Sequence, residues 1–89
     1  MPNVSSFYGI TIMMFFDEGI HSGRPHFHAE YAGTVASFEI GSLSCLVGVL
    51  PPRVERLVKK WASAHMDELA ANWSRARDHK QLKSIAPLR

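Results

Sequence analysis

The residues with most chemical potential lie in the stretch GRPHFHAEY, Gly23 to Tyr31, where His26, His28 and Glu30 occupy alternate positions. In an extended strand, alternate residues share a face, so these three side chains project together. Two imidazoles so placed can bind one divalent metal, and a carboxylate can add a third ligand. His21, in the preceding loop, is the better candidate for a further donor, and His65 the weaker one. The candidate metal ligands are therefore His26, His28, Glu30 and His21. A metal-free chemistry uses the same face, with one histidine as base and the other as acid in phosphodiester cleavage. Arg24 would then stabilise the developing negative charge, which makes His26, His28 and Arg24 the catalytic candidates. The spacing leaves a third reading open: a solvent-facing strand on which the histidines bond locally and Glu30 pairs with a nearby Lys or Arg.

Such a face needs a sheet behind it, and the first half of the chain reads as one. FYGITIMMFF, Phe7 to Phe16, is rich in β-branched and aromatic residues and apolar on both alternating faces, as in a central strand. Asp17 to Pro25 is a loop of turn formers. HFHAEYA follows as an alternating strand with Phe27, Ala29 and Tyr31 on the core side. Gly33 supplies a hairpin connection, VASFEI a third strand and LSCLVGVL a fourth. Connections this short favour antiparallel pairing.

At Pro51-Pro52 the apolar period changes from two to about 3.6. Pro51 holds Leu50 extended, and Pro52 suits a first helical turn. Val54, Leu57, Val58, Trp61, His65, Leu69, Trp73 and Ala76 then form one stripe of an amphipathic helix. Unbroken to residue 78 it would run roughly 40 Å, which overhangs so small a sheet; the stretch reads as one long helix or two nearly collinear ones, with a kink or break near SAHMD as the alternative. Trp61 and Trp73, twelve residues apart, cover similar sides of the helix and read as core residues, the alternative being that one of them anchors a partner or a second copy on the uncovered length. Glu55 and Lys59 have the spacing and order of a stabilising helical pair. Arg53, Arg56, Lys59 and Lys60 at the start, and Arg75, Arg77, Lys80 and Lys83 near the end, form a solvated face or a phosphate-binding one.

The expected fold is therefore α+β in a single domain, residues 1–89. A mainly antiparallel sheet of three to four strands occupies 1–50, a long or kinked helix 51–80 and a tail 81–89. The formal charge of +2 is too small to argue for nucleic acid by itself. Cys45, the one cysteine, allows no internal disulfide and reads as a reduced, buried thiol. The apolar run ITIMMFF is too short to span a bilayer, and the start lacks the pattern of a signal peptide. The expectation is a cytoplasmic protein with no membrane contact.

In MPNVSSFYGITIMMFF, RPHFHAEYAG, LPPRVERLVKKWASAHMDELAANW and LKSIAPL the chain resembles, nearly end to end, small bacterial proteins carrying domain of unknown function 4160. The family signature corresponds here to His26 through Tyr31, Pro51, Pro52 and Trp73. The family usually has a second proline before the histidines and a shorter loop, where this chain has HSGRP with Arg24. The resemblance implies no established activity. It does imply frequent pairing with a second small protein in modules like those of toxins and antitoxins. Three functions are thus expected in competition: a module component binding a small partner protein and RNA or DNA; an RNase-like enzyme using His26, His28 and Glu30 with or without a divalent metal; and a structural homodimer.

Overall fold

The computed structural model describes residues 3–15 and 24–89. Five strands form one antiparallel sheet: β1 (Asn3–Phe7), β2 (Ile10–Met13), β3 (His26–Tyr31), β4 (Thr34–Glu39) and β5 (Cys45–Val47), side by side in chain order. Two helices follow, α1 (Pro52–Ala64) and α2 (Met66–Arg77). The α+β class holds, with one strand more than the upper expectation.

The extra strand comes from a turn that the sequence reading ran through. Phe7 to Phe16 is not one strand, because Tyr8 and Gly9 take positive φ values of 50° and 78° and fold it into the β1–β2 hairpin. Two consecutive left-handed residues match the right-handed twist of the flanking strands. The β3–β4 hairpin repeats the device at Ala32 and Gly33, with φ values of 51° and 83°. The strand expected in LSCLVGVL shrinks to Cys45–Val47, paired to β4 through an irregular register.

Register shows which residues share a face. Ile12, Ala29 and Ala36 lie in one cross-strand row, and Phe27 pairs with Phe38 beside it. These side chains meet Val54, Val58 and Trp61 of α1 in the main core. Trp61 is fully buried, 5.5 Å from the Phe7 ring and 6.0 Å from Phe27. The opposite face carries Met13, His28, Ser37 and Val47 in a second row.

Helix α1 starts as expected, with Pro51 extended at the N-cap and Pro52 in the first turn. The helical stretch breaks at His65, whose φ of −129° lies outside the helical range. An unbroken helix from Pro52 to Arg77 would run about 39 Å, whereas the longest axis of the protein is 33 Å. The break lets α2 turn back, so that Leu69 joins the core and Trp73 reaches the first residue of β3. His65 Nδ1 bonds the Glu68 carboxylate at 2.6 Å, which ties the break to the first turn of α2.

Both tryptophans are buried, so neither is left to anchor a partner. The chain after α2 has no regular structure, yet it is fastened at three points. Ile85 N–H donates to the Val4 carbonyl at the β1 edge, 2.8 Å, and Trp61 Nε1–H donates to Ala86 O, 2.8 Å. Asn72, fully buried on α2, bonds both the N–H and the carbonyl of Lys83.

Candidate functional site

Alternation places His26, His28 and Glu30 on the face opposite Phe27, as the sequence predicts. That face is not open to solvent at the histidines: His26 is 0 % exposed and His28 8 %. Phe15, just beyond β2, stacks flat on the His28 ring at 4.5 Å and 8°. Trp73 lies 5.0 Å from His26, and the two imidazoles meet edge to face at 5.1 Å. His26 Nδ1–H donates to the Arg24 carbonyl at 2.7 Å; a carbonyl can only accept, so the ring proton sits on Nδ1. The picture of a solvent-facing histidine strand is therefore corrected. Strand periodicity told which face the rings occupy, and aromatic residues from outside β3 bury them.

The other candidates are less concentrated. The Arg24 side chain is 60 % exposed and its guanidinium pairs with Glu39 at 3.5 Å, while its backbone, not its charge, contacts His26. Glu30 is half-buried between Thr11 and Val35 on the neighbouring strands. Among the described residues Glu30 has no ion pair, so the expected Lys or Arg partner is not found there. His21 lies outside the described residues. Among the described residues no three of His, Cys, Asp and Glu are gathered to hold a metal ion. His65, the weaker extra donor, is engaged with Glu68 and lies 5.5 Å from the Trp61 ring.

Three further titratable groups have local partners. Glu55 and Lys59 pair at 3.0 Å as their spacing predicts. Cys45 is half-buried, and its thiol donates to Gly48 O at 3.2 Å. Burial pushes its pKa above the usual thiol value, and the nearby Glu55 carboxylate pushes the same way.

At the far end of β3 a different group assembles. Tyr31 receives a hydrogen bond on its hydroxyl from Arg53 Nη2 at 3.2 Å, and the guanidinium carbon stands 6.0 Å from the ring centroid. Only four large hydrophobic residues among those described are well exposed: Tyr8 at 61 %, Val35 at 44 %, Val47 at 52 % and Val49 at 82 %. None of these four stood out in the sequence. The usable signal was Gly9 inside an apolar run, which marks a turn and so exposes its neighbour Tyr8.

The model of the family described as "Domain of unknown function (DUF4160)" matches residues 9–74, about three quarters of the chain, and the protein belongs to that family. The matched region spans the histidine strand and runs through α1 and into α2 as far as Ser74. No curated protein and no solved structure matches the chain. Among the described residues no helix is long and apolar enough to cross a membrane.

Proposed function

We propose that the protein is one component of a two-protein, toxin–antitoxin-like module, binding a small partner protein and contacting RNA or DNA through its basic residues. The observation that carries this reading is the sheet edge at β5. The β1 edge is shielded by the returning chain at Ile85, whereas among the described residues no strand lies beyond β5. Unpaired strand edges recruit other strands unless charge, proline or cover prevents it. Here the edge carries apolar residues instead: Val47 stands diagonal to Val35 on one face, and Val49 follows it. The occupant that fits is an extended apolar segment of a small partner, adding a strand to β5. The module character itself rests on the family resemblance.

Co-expression with the product of the adjacent gene, followed by affinity pull-down, tests the reading. A stoichiometric complex is expected, and Val47→Lys is expected to disrupt it. A stable monomer that ignores the neighbour's product would overturn it. A dimer that Val47→Lys dissolves would put a second copy in the partner's place.

The second reading, a histidine-based activity, draws on the 5.1 Å approach of the His26 and His28 rings. It predicts stoichiometric metal or RNA cleavage in the purified protein, lost in His26→Ala and His28→Ala. A metal-free, RNA-inert preparation would remove it.

A further inference from the structure

Val35 on β4, Val47 on β5 and Val49 just after it leave Tyr8 as the fourth well-exposed large hydrophobic residue among those described, in the β1–β2 turn at the opposite side of the sheet. Tyr8 breaks two rules at once. Its ring is 61 % exposed, and its backbone sits at φ +50°, where Asn, Asp or Gly are the favoured turn residues. The ring meets the core residue Phe7 edge to face at 6.4 Å, yet most of its surface stays open, and Asn would suit the turn better.

The surroundings of Tyr8 show a use for it. Together with Arg53, Leu57, Lys60, Leu88 and Arg89 it lines a cleft of about 260 Å³. Three of the six lining side chains are cationic and none is acidic. Among the described residues neither Arg53, Lys60 nor Arg89 has an ion-pair partner, although Glu55 on the same helix is paired with Lys59. Arg53 is held in place by Tyr31 from below, through the 3.2 Å hydrogen bond. An exposed aromatic ring beside cations without ion-pair partners, Arg53 among them held by Tyr31, with Leu57 and Leu88 in the same lining, is the arrangement that takes a stacked base and its phosphate.

We infer that this cleft binds single-stranded nucleic acid, a base stacking on Tyr8 and the adjoining backbone phosphates meeting Arg53 and Lys60. A single strand fits because a duplex hides its base faces within the stack, and a cleft of this volume admits one nucleotide rather than a helix. The inference deepens the nucleic-acid half of the proposed function by giving it a site, and it does not involve the β5 edge.

The test is fluorescence anisotropy with labelled oligo(U) and oligo(dT), alongside AMP and a polyglutamate of equal charge as competitors. Tyr8→Phe should bind like wild type, and Tyr8→Asn should weaken binding roughly five- to a hundredfold, the effect expected of one lost stacking contact. Tyr8→Asn should fold at least as well as wild type, which thermal melting checks. Arg53→Gln and Lys60→Gln should each reduce the slope of log K against log salt by about 0.7. Unchanged affinity in Tyr8→Asn, or polyglutamate competing as well as the oligomers, would overturn the assignment. AMP binding as tightly as the oligomers would replace the strand by a free nucleotide. Failure here is separable from failure of the partner reading, because Tyr8→Asn should leave the pull-down unchanged.

Discussion

Asn72→Ala is the substitution whose effect follows most directly from the geometry. Asn72 is fully buried, and its amide makes two-point contact with the backbone of Lys83: Nδ2–H to the carbonyl at 2.8 Å, and Oδ1 from the N–H at 3.0 Å. Arg75 Nη1 donates to the same Oδ1 at 2.9 Å. Each neutral bond is worth about 1 kcal/mol net, and the charged one somewhat more, reduced here because Arg75 is half-exposed. The loss should be about 2–4 kcal/mol, or a lowering of Tm by roughly 10–20 °C for a domain of this size. The effect should be concentrated in the chain after α2, which Asn72 holds against the body. Limited trypsin digestion reads this locally at the Lys83–Ser84 bond, whose carbonyl Asn72 grips. When opening is faster than cleavage, the rate follows the open population, so it should rise roughly 30- to 1000-fold. A cleavage rate within threefold of wild type and a Tm within 2 °C would refute the claim that this side chain fastens the C-terminal segment.

Two other substitutions have equally definite outcomes. Gly48 sits at φ +87°, and a Cβ there would press on the Val35 carbonyl and lie 2.9 Å from Ala36 Cα. Gly48→Ala should therefore cost about 2 kcal/mol or more, whereas Gly33→Ala, with nothing within 4 Å of the new atom, should cost about 1 kcal/mol; chemical denaturation compares them, and equal losses would contradict the steric argument. Cys45 should be alkylated by iodoacetamide more slowly than an unhindered thiol at neutral pH, with a midpoint above the usual thiol value, because burial and then Glu55 disfavour the thiolate. Glu55→Gln removes one of those negative influences, so the midpoint should move down; a midpoint that stays put would show that Glu55 has no part in it.

Much of the fold was legible because it is written in short-range patterns. The alternation of Phe27, Ala29 and Tyr31 against His26, His28 and Glu30, the change of period at Pro51-Pro52, and the stripe from Val54 to Ala76 all survive in the structure. The turn at Tyr8-Gly9 was hidden because Tyr is a strand former, and nothing in its type announces a left-handed backbone. Asn72 was missed for another reason: a polar residue on a helix reads as exposed, and its partners belong to a chain segment eleven residues later. The burial of His26 and His28 is likewise non-local. Periodicity assigns a side chain to a face, but Phe15 and Trp73, which cover the rings, come from outside the strand.

The exposed Val47 and Val49 follow the same rule, since their exposure depends on which strand lies last in the sheet. They are also where the proposed function is most open to contradiction. The direct measurement is isothermal titration calorimetry of the protein with the purified product of its adjacent gene, comparing wild type with Val47→Lys. The account predicts a saturable one-to-one association with negative heat-capacity change, weakened at least tenfold by the lysine. No binding by wild type, or equal binding by the two proteins, would contradict it.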